Sequence, residues 1–149
     1  MYKKILVPLD GSSLAQCVLP HVEGLAAASN AEVVLATVAA PQTEGSTDPQ
    51  HRVYIEQALS RLEDEVMGYL NKVQRQMQGK GIKASPVMLL GRPAEQITDY
   101  AETNNVDLIA MATHGRSGIS RFVQGSVATK VLQTSKLPVL LVRPPGCAS

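Results

Sequence analysis

Tryptophan is absent from this chain, and rings of any kind are scarce: four Tyr and one Phe in 149 residues. Proteins that read single-stranded nucleic acid stack bases on exposed rings, so that class is disfavoured from the start. A surplus of one charge is missing too. Lys and Arg number 14, Asp and Glu 13, with a net charge of +1 and no long basic run. A sequence-independent nucleic-acid binder needs a basic face, and nothing here supplies one. Cysteine is nearly absent. Cys17 and Cys147 form no C-x-x-C, and no H-x-x-x-H pairing occurs. Neither a disulfide framework nor a metal cluster is expected, and no metal ligand is assigned. Reduced thiols in a cytoplasm are the plain reading. The first apolar run, Ile5 to Leu9, is too short for a signal peptide or a membrane span. The string G-x-x-x-x-G-K-[ST] is also missing. With it go the lysine and the magnesium-binding hydroxyl of the usual route to fast phosphoryl transfer.

What remains is a globular composition. Hydrophobic residues make up 44% and charged residues 18%, and the length suits one self-sufficient core built from Val, Leu, Ile, Ala and Met. The domain is expected over 1–144, with 145–149 as a tail. Ile5 to Leu9 reads as a buried strand and Asp10 to Ser13 as a turn. Ser12 or Ser13 is placed to cap the next helix, Ser13 and Gln16 fitting a capping box. That helix runs to about Asn30, with Pro20 kinking it or restarting a turn. Glu32 to Val38 is a second strand, and 41–50 a loop rich in turn formers. Ile55, Leu59, Leu62, Val66, Leu70, Val73 and Met77 recur at helical spacing and predict a long helix whose apolar stripe packs on a sheet. Ile82 to Leu90 is a third strand, which Pro86 assigns to an edge or a bulge. A short helix follows Gly91-Arg-Pro93, then a strand from Val106 to Met111. A helix from Gly125 to about Ser135 turns Val127, Val131 and Leu132 inward, and Pro138 to Val142 is the last strand.

Strands and helices thus alternate five times. Continuous apolar strands in that order predict an α/β fold: a single-domain, doubly wound, Rossmann-like parallel sheet with helices on both faces and strand order 3-2-1-4-5. In such sheets ligands sit at the carboxyl ends of strands, where the strand order reverses. The turn at Asp10 and the loop Ala112–Gly118 flank that crevice.

The second of these loops carries the chemistry. Leu108-Ile-Ala-Met111 breaks into Ala112-Thr-His-Gly115-Arg-Ser-Gly118, and Gly125-Ser126 re-enters a helix. Glycine lets the main chain approach a ligand closely and turn through positive φ. A helix start adds orphan N–H donors and the positive end of a dipole. Together they predict a phosphate site. Asp10 is either a turn residue or an acceptor for ribose hydroxyls. His114 lacks an identifiable nucleophile or orienting carboxylate, so no catalytic residue is assigned. Arg116 and Arg121 flank the loop as forked donors, with Arg116 preferred for phosphate.

These segments resemble the universal stress protein family over nearly the whole chain. The likeness is carried by Lys4-Ile-Leu-Val-Pro-Leu-Asp10-Gly-Ser, Gly91-Arg-Pro-Ala-Glu, Val106-Asp-Leu-Ile-Ala-Met-Ala-Thr-His-Gly115-Arg, Gly125-Ser-Val and Leu137-Pro-Val-Leu-Leu-Val-Arg143. Nucleotide-binding members carry G-x-x-G, nine residues, then G-[S/T]. Here Ala112 stands for the first glycine, followed by Gly115, Gly125 and Ser126. Alanine fits there if its φ is negative. The resemblance implies ATP, AMP or a cyclic adenine nucleotide, with or without Mg2+. It puts Pro8 and Asp10 near ribose and base and Val38 against the adenine. Met111, Ala112, Gly115 and Arg116 form the wall and half of the phosphate loop; Gly125, Ser126 and Val127 meet the phosphates. It also implies a homodimer through the edge strand Val139–Val142, which as a bare apolar edge invites pairing. Three functions compete: a cytoplasmic nucleotide-binding protein with a regulatory or protective role in stress, a slow ATPase or autophosphorylating protein, and a nucleotide-free dimeric module. No membrane or nucleic-acid partner is expected.

Overall fold

The apolar runs of the sequence become strands, and the helices between them cover the sheet on both faces. The computed structural model describes residues 1–40, 49–113 and 126–144. In chain order the elements are β1 (Lys4–Pro8), a 3-10 helix (Ala15–Val18), α1 (Leu19–Ser29), β2 (Glu32–Ala39) and α2 (Pro49–Gln78). Then follow β3 (Ala84–Leu90), α3 (Pro93–Thr103), β4 (Leu108–Ala112), α4 (Ser126–Thr134) and β5 (Val139–Val142). All strand pairs are parallel, and the order is β3-β2-β1-β4-β5. This is the predicted doubly wound sheet.

The core lies in two layers, because side chains alternate across a strand. Ile5, Val7, Val33, Leu35, Leu108 and Ala110 face one layer, closed by Val18, Val22, Leu70, Val73 and Met77. Leu6, Val34, Ala36, Ile109 and Met111 face the other, closed by Ile97, Ala101, Ala128 and Val131. Burying each larger side chain contributes about 1.5–3 kcal/mol relative to exposure. Pro86 sits on the edge strand β3, opposite Leu35. The Val33 N–H donates to Lys83 C=O and the Gly91 N–H to Ala39 C=O, so odd-numbered residues of β3 point at β2. Pro86 therefore faces the open edge and removes no ladder bond.

Pro20 restarts the helix: it sits in the first turn of α1, after a separate 3-10 turn. Local structure departs from the sequence expectation at three other places. No Ser13–Gln16 capping box forms. The Ala15 N–H donates to Ser12 Oγ at 3.1 Å, and the Gln16 side chain goes to Tyr69 instead. In α2 the buried stripe is only Leu70, Val73 and Met77. Ile55, Leu59 and Leu62 stay half-buried and join neither core layer. A helix of 30 residues spans about 45 Å, whereas a strand of 5 to 8 residues spans about 17–27 Å; the amino half of α2 outruns the sheet. Finally, Leu132 is 50% exposed. Val127, Ala128 and Val131 define the inward stripe of α4, and Leu132 lies about a quarter turn from its centre.

Candidate functional site

The seam between β1 and β4 is closed at one end and open at the other. At its amino end Asp107 Oδ2 accepts the Lys3 N–H at 2.6 Å and the Lys4 N–H at 2.9 Å, and the Asp107 N–H donates to Lys4 C=O. The ladder then pairs Ile5 with Leu108 and Leu6 with Ile109 and stops. β1 continues to Pro8 and β4 to Ala112. Proline is one cause. The Leu9 N–H points at β2, to Ala36 C=O at 2.7 Å, so the N–H of residue 8 would point at β4, and Pro8 has none. On the other side β4 stays with its outer neighbour: the Thr113 N–H donates to Val142 C=O on β5, as the Ile109 N–H does to Pro138 C=O. The crevice of a doubly wound sheet thus opens at its topological switch point.

Alternation sorts the expected site residues onto faces. Leu6, Ala36 and Ile109 face the α3/α4 layer, so Pro8, Val38 and Met111, each two residues further along its strand, face it too. Met111 is buried, and Val38 packs partly against that layer. Pro8 is half-buried. These three come from the carboxyl ends of β1, β2 and β4 and make one apolar wall. Ala112, one residue past Met111 and paired with Val142, points its methyl to the opposite face. Its φ is not positive. Alanine therefore fits the backbone where the family motif has glycine.

Asp10 closes the turn after β1. Its Oδ1 accepts both the N–H of Ser12, at 3.0 Å, and the Ser12 hydroxyl. Gly11, at φ +87°, supplies the left-handed backbone the turn needs. Tyr69 on α2 reaches this turn. Its hydroxyl accepts from Gln16 Nε2 at 3.1 Å and donates to Ser12 C=O at 3.4 Å. Desolvation raises the Tyr69 pKa above 10.0, against the opposing hydrogen bond from Gln16, and the Asp10 charge adds to the rise. The phenol is therefore neutral at physiological pH and retains its proton for Ser12.

α4 must return from the carboxyl end of β4 to the amino end of β5, since both strands are parallel. Its amino terminus at Ser126 therefore lies at the carboxyl edge of the sheet, with Pro8 and Asp10. Ser126 is exposed, Val127 half-buried and Ala128 buried. The first-turn amides of α4 give that edge a positive end. Gly115, Arg116, Gly125, His114 and Arg121 lie outside the described residues. The sequence reading missed Tyr69 and the Gln16 contact, because no local spacing marks a hydrogen bond between residues 53 positions apart. It also missed Thr37, buried at the carboxyl end of β2 with its hydroxyl unpaired.

Comparison with known proteins extends this geometry. The universal stress protein family model matches residues 1–143. The chain is 35% identical to the universal stress protein MJ0531 of Methanocaldococcus jannaschii, over 97% of this chain and 84% of that one. The solved structure of MJ0577, a universal stress protein of the same organism, superposes with a TM-score of 0.87 at 29% identity and covers 98% of this chain and 99% of its own. A universal stress protein in complex with cAMP has the same fold, with a TM-score of 0.67 at 23% identity over 96% of this chain and 98% of that one. So does one from Archaeoglobus fulgidus in complex with dAMP, with a TM-score of 0.64 at 21% identity over 94% of this chain and 97% of that one.

Proposed function

The chain belongs to the universal stress protein family, and on that premise we propose that it binds ATP or a related adenine nucleotide in the crevice between β1 and β4. The carrying observation is the seam itself: β1 and β4 stop pairing after Leu6 and Ile109, while each still bonds its outer neighbour. Relatives of the same fold have been solved with cAMP and with dAMP, which supports an adenine nucleotide as the ligand class.

The described residues fit such a ligand by chemistry. Pro8, Val38 and Met111 offer an apolar wall for a base. The Asp10 carboxylate repels phosphate but accepts ribose hydroxyls. Ser126 and Val127 open α4, whose first-turn amides suit an anion. Gly115, Arg116 and Gly125, with Ala112, complete the phosphate loop by their match to the family motif. No group of three His, Cys, Asp or Glu stands ready for a metal among the described residues, so Mg2+ would arrive with the phosphates.

Binding here is a holding function, and no catalytic residue is assigned. The protein acts as a cytoplasmic homodimer joined along β5, its occupancy by nucleotide setting a regulatory or protective state under stress. The feature that favours a nucleotide-free module is Ala112. Its methyl lies on the far face of the sheet, so that alternative loses its motive. Native mass spectrometry of the gently purified protein tests the reading, a co-purifying adenine nucleotide being the expected result. A mass equal to the bare chain, together with an unchanged melting temperature in millimolar ATP and Mg2+, would refute it.

A further inference from the structure

We propose that Tyr69 is a positioning residue for the nucleotide: by clamping the turn after β1 it holds the Asp10 carboxylate in line with the ribose hydroxyls. This rests on the reading of the β1/β4 crevice as the nucleotide site.

Ser12 is the hub of the clamp. Its N–H and its hydroxyl both donate to Asp10 Oδ1, and the same hydroxyl accepts the Ala15 N–H. Its carbonyl accepts from Tyr69. Every polar group of Ser12 is thereby used, three contacts within the turn and one to a helix 57 positions away. The second hold is on Gln16, whose side chain donates to the same phenol. Tyr69 thus grips both ends of the segment from Ser12 to Gln16.

The clamp ties this turn to a distant helix. Gly11 supplies the positive φ of the turn, the bonds of Ser12 to Asp10 and Ala15 hold it locally, and Tyr69 joins that local unit to α2. Tyr69 itself is fixed. It packs partly against the core layer, next to Leu70 and about one turn before Val73, both buried. A rigid helix face therefore sets where Ser12 lies, and Ser12 sets which way Asp10 presents its carboxylate. Bidentate acceptance of a ribose diol requires that orientation in advance, since an ordered acceptor loses less freedom on binding.

The test removes one oxygen atom. Tyr69→Phe keeps the ring and its packing but abolishes both contacts. Affinities of wild type and Tyr69→Phe are measured by calorimetry for ATP and for 2′,3′-dideoxy-ATP, which lacks the diol. The variant is expected to bind ATP about three- to tenfold more weakly, in keeping with a lost hydrogen bond. Its affinity for the dideoxy analogue is expected to stay within about twofold of wild type. In an Asp10→Ala background, Tyr69→Phe should add no further loss, the non-additivity expected of residues acting as one unit. Hydrogen exchange on the nucleotide-free proteins gives a separate readout: Tyr69→Phe should speed exchange at the Ser12 and Ala15 amides and leave Val22 unchanged. Equal losses for both nucleotides, additive losses with Asp10→Ala, or unaltered exchange at Ser12 and Ala15 would each overturn the proposal. Failure of the wild type to bind either nucleotide would instead sink the crevice reading, and the exchange measurement would still decide whether the clamp exists.

Discussion

Leu9 and Thr113, each one residue past its strand, turn their amides in opposite directions. The Leu9 N–H bonds outward to Ala36 on β2 at 2.7 Å, and the Thr113 N–H outward to Val142 on β5 at 2.9 Å. Two strands that shared a ladder at Leu6 and Ile109 have parted within a few residues. Everything assigned to the site depends on that divergence.

If a ribose meets this opening at Asp10, neutralising the carboxylate should weaken binding while sparing the turn. Asp10→Asn retains an acceptor for Ser12 but replaces a charged partner with a neutral one. Hydrogen bonds to charged groups contribute about 1.5–3 kcal/mol, so affinity for ATP should fall about tenfold or more by calorimetry, with little change in the melting temperature of the free protein. Unchanged affinity would remove Asp10 from the site.

Ala112 gives a sharper discrimination. The family motif has glycine there, and the simple expectation is that Ala112→Gly improves nucleotide binding. The face assignment and the absence of positive φ predict otherwise. The methyl is buried, at 7% exposure, and away from the crevice. Restoring glycine should leave affinity within about twofold and destabilise the fold by about 0.5–1 kcal/mol, the usual cost of glycine inside a strand. Urea unfolding and a binding isotherm on the same sample measure both quantities.

Strand identity, strand order and Pro86 at an edge were all legible in the sequence, since short apolar runs between turn formers have one economical arrangement. The seam was half legible. Asp10 and Ala112 could be placed at carboxyl strand ends, but that Pro8 withholds a donor from β4 requires knowing that Leu9 bonds to β2. Leu132 and the amino half of α2 misled for a common reason. Helical periodicity reports which residues share a stripe, not whether a sheet lies beneath it. Tyr69 and Gln16 were invisible because their partnership is purely tertiary.

The corrected stripe of α4 is itself testable. Leu132→Ala should change stability by less than about 0.5 kcal/mol, as exposed substitutions do. Leu6→Ala, at a position with no exposure in the middle of β1, should cost about 2–5 kcal/mol through the cavity it leaves. Denaturant midpoints separate the two by a wide margin, and a comparable loss at Leu132 would restore it to the core.

Gly91 is a different kind of constraint. It sits at φ +138°, and a Cβ there would lie 2.9 Å from Gln96 Nε2 and 3.0 Å from Gln96 Cγ. The side chain of Gln96 can swing aside, but the backbone cannot leave its left-handed region while the Gly91 N–H holds Ala39 C=O at 3.0 Å. Gly91→Ala should therefore destabilise by about 1–3 kcal/mol, the usual cost of a strained backbone residue. A thermal melt reads this directly, and a neutral result would mean the β3–α3 turn relaxes freely.

The proposed dimer can be tested from hydrogen-bond direction alone. The Ile109 N–H donates to Pro138 C=O and the Thr113 N–H to Val142 C=O, so even-numbered residues of β5 face β4. The amides of Val139 and Leu141 then point at the open edge, on a strand that is half-exposed throughout. Leu141→Pro deletes an outward donor without touching the inner ladder, which is where edge strands tolerate proline. If copies of this chain pair along β5, the variant should elute and scatter as a folded monomer where the wild type is a dimer. A dimer that survives Leu141→Pro must be joined elsewhere, and the overhanging amino half of α2, with Val53 at 53% and Tyr54 at 69% exposure, would be the next surface to mutate.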